Sequence, residues 1–242
     1  MARARAHMAA RTHTTSALLL RRTEYGDSDL VLALFTEKLG RISALARGAR
    51  KSQRRFGGAL EPMHTLGARL DERSHAELLT LREATIENPR RHLVGDLDRM
   101  TLAGRALGWL RSAAPPRTPE PEVWRVVSDL LDRLDDARDA RPPRVHLAEA
   151  GLRLLSAFGW NIDYERCIRC GKACEPERPA LLDPARGGLI CRSCGGARLR
   201  LEGVVRARLA RSARGEDRID AGDVDIALGI AESALKAHAG VE

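Results

Sequence analysis

Four cysteines in two short-spaced pairs constrain this chain more than any other feature. Cys167-Ile168-Arg169-Cys170 and Cys191-Arg192-Ser193-Cys194 are CxxC knuckles with twenty residues between them, the spacing of a structural zinc site. Each knuckle is a tight turn that points two thiolates the same way, and two facing knuckles make a tetrahedral cage of four sulfurs. Gly171 follows the first knuckle and Gly195-Gly196 the second, where tightly bent backbone favours residues without a Cβ. The competing readings are two disulfides or four unrelated buried thiols. A catalytic zinc is disfavoured, because four thiolates leave no open coordination position. Cys174 is the odd cysteine, a spare thiol or a substitute ligand, with the spare preferred. The expected cofactor is therefore one structural Zn2+ on Cys167, Cys170, Cys191 and Cys194.

Charge gives the next constraint. The 242 residues carry a formal net charge of +8, which favours a polyanionic partner. Its distribution matters more than its size, since Arg- and Ala-rich composition also reflects a GC-rich genome. Over residues 1–86, fifteen Lys and Arg stand against nine Asp and Glu, a surplus of six. With 43% hydrophobic but only 3% aromatic residues, the core must be built from Leu, Ala and Val. No run approaches the roughly 18 apolar residues of a membrane span. Met1 to Arg11 is basic but lacks the apolar stretch of a secretory signal. It reads as a disordered leader over residues 1–11, or as an upstream start with Met8 the real one. Zinc-held thiols suit a reducing cytoplasm.

Taken in order, residues 14–86 read as a β domain. Strands are expected over 14–22, 29–36, 40–47, 63–70 and 76–86. In the second, Leu30, Leu32 and Leu34 alternate against Val31, Ala33 and Phe35, a short run apolar on both faces, as in a buried strand. Short strands this closely spaced suggest a five-stranded Greek-key barrel of the OB type. Helices are expected over 92–112, 122–136, 144–158, 202–213 and 220–239, with the Pro-rich stretch 113–121 as a linker. The fold class is thus α+β: an N-terminal OB-fold β-barrel over 12–88, a helical domain over 89–159, a zinc-binding module inserted over 160–198, and C-terminal helices over 199–242 that complete the helical domain.

The loop from Gly48 to Gly58 holds Arg50, Lys51, Arg54 and Arg55 and no acid, with Arg47 just before it. Loops at the mouth of an OB barrel are where nucleic-acid strands lie, their phosphates neutralised by Lys and Arg. Tyr25 and Phe56 are candidates to stack bases, although Phe56 is more readily a core anchor, and the loop has the bland reading of a solvated basic surface. His75-Ala76-Glu77 fits the H-x-E of zinc deaminases. That class also needs Pro before its CxxC, whereas Arg166 and Ile190 precede the knuckles here, so an ordinary hairpin is preferred. The GxxxxGK[ST] phosphate loop does not occur, and neither GxSxG nor a paired-carboxylate arrangement stands out.

Several segments in this order resemble one family. Tyr25-Gly26-Asp27-Ser28-Asp29-Leu30 is similar to a turn leading into the second strand of the RecO family of recombination mediators. Thr36-Glu37-Lys38-Leu39-Gly40 is similar to its following hairpin, and Ala46-Arg47-Gly48-Ala49-Arg50 to its next strand end. Leu182 to Cys191 resembles the segment running through Gly-Gly into the second knuckle. The resemblance covers residues 14 to about 238. It departs where Ile162 replaces a frequent Pro, where Leu182 replaces a frequent aromatic, and in a short C-terminal helix.

The resemblance implies a DNA repair protein, not an enzyme, that binds single- and double-stranded DNA and anneals complementary strands. It implies partners too: RecR, the acidic C-terminal tail of single-stranded-DNA-binding protein, and RecA indirectly. The tail would need an apolar groove with nearby Arg on the helical domain. The implied setting is the cytoplasm, associated with the nucleoid and not with a membrane. The expected DNA-binding residues are Arg47, Arg50, Lys51, Arg54 and Arg55. The alternative is a zinc-ribbon transcription or translation factor that binds one defined site.

Overall fold

The structure is a computed structural model and describes residues 11–73, 77–216 and 218–239, the Gln53 side chain excepted. The chain divides into two compact units. One holds the residues up to Val94 together with Ala114–Pro121, the other Gly95–Ala113 and the residues from Glu122 onward.

In the first unit, β1 (Arg11–Tyr25), β2 (Asp29–Thr36), β3 (Gly40–Ala46), β4 (Thr65–Glu72) and β5 (Leu79–Asn88) close into a barrel in the order β1-β2-β3-β5-β4. β1 pairs antiparallel with both β2 and β4, and β3 meets β5 in parallel at Ala44↔Leu79 and Leu45↔Thr80. That closure and strand order are those of an OB barrel. Leu30, Leu32 and Leu34 of β2 point inward, with Ile42, Ala44 and Ala46 of β3 and Leu66, Ala68 and Leu70 of β4. The period of two in these strands is what fills the interior. The other face of β2 is apolar for a separate reason: Phe35 is fully buried and sits opposite Leu18 of β1, which is buried as well.

Several strand limits differ from those expected. β1 runs from Arg11, the last residue of the expected leader, to Tyr25; the rest of that leader lies outside the described residues. A register shift between Leu19 and Arg21 marks a bulge, so Leu18, Leu19 and Leu20 are buried in succession. β4 begins at Thr65 and not at 63, because Met63 takes φ 79°, a left-handed conformation that a strand cannot contain. The expected basic loop folds one helical turn, α1 (Gln53–Phe56), whose Phe56 enters the barrel core at 3% exposure. His75 and Ala76 of the H-x-E triplet lie outside the described residues.

The stretch expected as a linker is bound to the barrel unit. Arg117 N donates to Arg41 O at 2.8 Å, Arg41 Nε to Ala114 O at 2.7 Å, and Arg117 Nη1 to Glu72 Oε1 at 2.6 Å. Ala114–Pro121 is therefore a strap along the start of β3. Only glycine fits beneath it, since a Cβ at Gly40 would stand 1.9 Å from the Thr118 carbonyl oxygen.

The expected helix over 92–112 is two. A single turn, α2 (Arg91–Val94), ends the first unit, and α3 (Leu97–Ala113) begins the second. Gly95 breaks the run, and Asp96 Oδ1 accepts from the N–H groups of Asp98 (3.0 Å) and Arg99 (3.1 Å), an N-terminal cap. The amphipathic α4 (Pro121–Asp135) buries Val123, Val126, Val127, Leu130, Leu131 and Leu134. α5 (Pro143–Ala157), which packs against α7 (Val224–His238), is buried nearly all round. Between α5 and α6 (Gly203–Ala213) the chain forms a small sheet of β6 (Asp163–Cys167), β7 (Ala180–Asp183), β8 (Gly188–Leu189) and β9 (Leu199–Leu201), ordered β6-β8-β7-β9. Among the described residues no helix is long and apolar enough to cross a membrane.

Candidate metal centre and nucleic-acid interface

The sheet of the second unit exists to hold two turns. In the first knuckle Gly171 N donates to Cys167 O at 2.8 Å, and in the second Cys194 N donates to Cys191 O at 2.9 Å. Gly171 (φ 73°) and Gly195 (φ 104°) close them in conformations that L side chains avoid. Parallel pairing of β6 with β8, including Ile168 N to Leu189 O at 2.9 Å, brings the turns face to face. The Sγ atoms of Cys167, Cys170, Cys191 and Cys194 lie within 4.8 Å of one another, with Cys170 and Cys191 at 3.7 Å. Tetrahedral coordination at about 2.3 Å per bond needs sulfurs about 3.8 Å apart, so the four residues fit a metal ion. All five cysteines are free thiols, which removes the disulfide reading. Cys174 stands outside the cluster, its Sγ turned to Glu175 O at 3.8 Å.

The electrostatics of the cluster favour a cation. The Cys191 backbone N–H on its sulfur holds Cys167 down to about 6, while hydrogen bonding with the Cys191 and Cys170 thiols pushes Cys194 up to about 12. Four thiols this close do not all ionise unless a positive charge sits between them. With four sulfurs on it, a metal would have no open position, and its contribution would be to fix the fold of the module.

Sequence reasoning did not find the residue that ties this module to the helices. Arg206 of α6 is 3% exposed. Its Nη1 donates to Tyr164 O at 2.6 Å and its Nη2 to Glu175 O and Pro176 O at 2.5 and 2.9 Å. One guanidinium thus binds both the strand entering the first knuckle and the loop leaving it. Its sequence context, a helical Arg in an Arg-rich chain, carries no signal of this.

On the barrel, the five expected cations share one loop and are all exposed. They are not equivalent. Arg50 Nη1 pairs with Glu24 Oε2 at 3.2 Å. Arg55 is built into the loop: Nη2 donates to Arg47 O at 2.7 Å, Nε to Ser52 Oγ at 3.2 Å, and its guanidinium lies 5.1 Å from the centre of the Phe56 ring. The side chains of Lys51 and Arg54 make no ion pair among the described residues. Asp29 Oδ1 accepts from Gly48 N at 2.7 Å, which fixes the base of the loop against β2. Phe56 is in the core and cannot stack a base, whereas Tyr25 is 60% exposed beside the loop.

Two family models cover most of the chain. Residues 8–90 match the family described as Recombination protein O N terminal, and residues 94–229 the one described as Recombination protein O C terminal. The chain belongs to the RecO family. Among curated RecO proteins, DNA repair protein RecO of Anaeromyxobacter dehalogenans (strain 2CP-C) is 40% identical over 180 residues, 74% of this chain and 69% of that protein. Its namesake in Anaeromyxobacter sp. (strain Fw109-5) is 37% identical over 179 residues, with the same coverage. That of Myxococcus xanthus (strain DK1622) is 34% identical over 186 residues, covering 74% and 71%. RecO membership makes this a chain of the DNA repair and recombination machinery.

Proposed function

We propose that this chain binds single- and double-stranded DNA through the barrel loop of Arg47, Arg50, Lys51, Arg54 and Arg55, and anneals complementary strands. In this reading it engages the acidic tail of single-stranded-DNA-binding protein and works with RecR to help load RecA on the coated strand. The carrying observation is the closed OB barrel whose β3–β4 loop presents these cations to solvent, in a chain of the RecO family. Loop cations neutralise phosphates on two like-charged strands, so that the strands can approach and pair. The four thiols hold one structural zinc, the fit of a sulfur tetrahedron being better for zinc than for hard, oxygen-seeking cations. The chain works by positioning and charge and has no catalytic centre, and its place is the cytoplasm, on the nucleoid.

The test is fluorescence anisotropy with a labelled single-stranded oligonucleotide across a salt series. The double variant Arg54→Glu, Arg55→Glu should bind far more weakly at low salt. Single replacement of Arg47, Lys51, Arg54 or Arg55 by Gln should lower the salt slope by about 0.7 on single strands. Unchanged affinity of the double variant at low salt would remove the loop from the interface.

A further inference from the structure

An open recess of about 550 Å3 lies on the barrel between the end of β1 and the loop that runs to Glu61. Leu30, Ala49 and Phe56 line it together with Ser52 and Gly57. Two ion pairs form its rim: Arg22 Nη1 with Glu61 Oε1 at 2.5 Å, and Arg50 Nη1 with Glu24 Oε2 at 3.2 Å. Arg22 Nη1 also donates to Leu60 O at 3.1 Å, so the guanidinium is aimed before any ligand arrives. All four side chains are at least 43% exposed.

We propose that this recess seats a strand of nucleic acid, and that Glu24 and Glu61 are displaceable counter-ions that hold Arg22 and Arg50 until a backbone phosphate takes them. The proposal rests on the nucleic-acid reading above. To that reading it adds Arg22, which lies outside the basic loop, and a competitor built into the site. Exposed ion pairs are weak, and a phosphate makes the same charge-assisted bonds to a guanidinium as a carboxylate does. The exchange is therefore nearly even in contacts, and the displaced glutamates remain nearby to repel the strand. The two carboxylates lower affinity for every polyanion.

Salt dependence separates this arrangement from a plain basic patch. A phosphate that meets a bare arginine releases a condensed cation, which adds to the salt slope. A phosphate that displaces a glutamate leaves behind a carboxylate that attracts cations to itself, which offsets part of that release. Removing the glutamates should therefore steepen the slope as well as tighten binding.

The experiment measures anisotropy of a labelled thymidine oligonucleotide against salt for the full chain, for Glu24→Gln with Glu61→Gln, for Arg22→Gln, and for Arg22→Gln with Glu61→Gln. The double glutamine variant should bind roughly two- to tenfold more tightly at low salt. Its log–log slope should steepen by up to about 1.4, at most about 0.7 for each freed arginine. Arg22→Gln should weaken binding, and adding Glu61→Gln to it should recover only what the bare carboxylate repels, leaving binding below that of the double glutamine variant. Unchanged or weaker binding by the double glutamine variant overturns the proposal, and so does tighter binding with an unchanged slope. If the unaltered chain fails to bind the oligonucleotide, the nucleic-acid reading itself falls and the proposal falls with it.

Discussion

Arg206 Nη1 donates to the Tyr164 carbonyl oxygen at 2.6 Å, and through that bond a helix late in the chain holds the strand that enters the first cysteine knuckle. The same guanidinium reaches Glu175 O and Pro176 O beyond the knuckle. Three carbonyls of a small, sheet-poor module are thereby satisfied by one buried cation, as buried backbone acceptors require. Replacement by Met keeps the volume and removes every donor. Arg206→Met should cost about 3 kcal/mol, since acceptors left buried without partners are expensive. The loss is read by chemical denaturation of the metal-loaded protein, and a cost below about 0.5 kcal/mol would mean that water replaces the guanidinium freely.

Metal removal should act on the same module. Cys194→Ser, or a strong chelator, should abolish metal loading and unfold residues around the knuckles, because binding free energy of a structural zinc is folding free energy. Zinc content and hydrogen exchange of the 163–201 segment check this. Cys174→Ser should leave both unchanged, since its sulfur lies outside the cluster.

The strap makes a separate demand on the barrel. Gly40→Ala places a methyl 1.9 Å from Thr118 O and asks for φ 67° from a residue with a Cβ. The expected cost is about 3 kcal/mol, with the strap displaced from β3. Limited proteolysis within Ala114–Pro121 should become faster, and an unchanged cleavage rate would show that the strap is not held there.

Acid should loosen the barrel edge. Hydrogen bonds from Arg82 and then Thr12 hold the Asp71 carboxyl below its ordinary range, and His13 and then Arg117 do the same for Glu72. Carboxyls held low in the folded state contribute stability that is present above their unfolded value, near pH 4, and is lost as pH falls through the folded one. Thermal midpoints should therefore drop below about pH 4, and the Asp71→Asn, Glu72→Gln variant should show a shallower drop. An equal acid slope in the variant would place the effect elsewhere.

The cations of the loop should separate into two kinds. Arg54→Ala should lower the salt slope of DNA binding without altering stability, since Arg54 makes no ion pair among the described residues. Arg55→Ala should lower both, by about 1 kcal/mol in stability, because it also removes bonds to Arg47 O and Ser52 Oγ. Equal stability in the two variants would contradict the role given to Arg55.

What was legible in the sequence was whatever repeats locally. Leu30, Leu32 and Leu34 announce an inward face by alternation, and two CxxC turns announce a sulfur cage by spacing. Knuckle geometry then brought together all four expected cysteines and left Cys174 aside. What was not legible depends on distant partners. The run Leu18–Leu20 hides a bulge that only pairing with β2 defines. The stretch 113–121 has linker composition, yet backbone bonds to Arg41 bind it to the barrel. Arg206 and Arg22 look like any of the chain's other arginines until the carbonyls and carboxylates that meet them are known.

Strand pairing is read most directly from the annealing of two complementary oligonucleotides coated with single-stranded-DNA-binding protein. The chain should accelerate annealing, the Arg54→Glu, Arg55→Glu variant should not, and the acceleration should be lost again when the coating protein lacks its acidic tail. No acceleration by the unaltered chain, together with tight binding to a single duplex sequence, would contradict strand pairing and mark the protein as a site-specific factor.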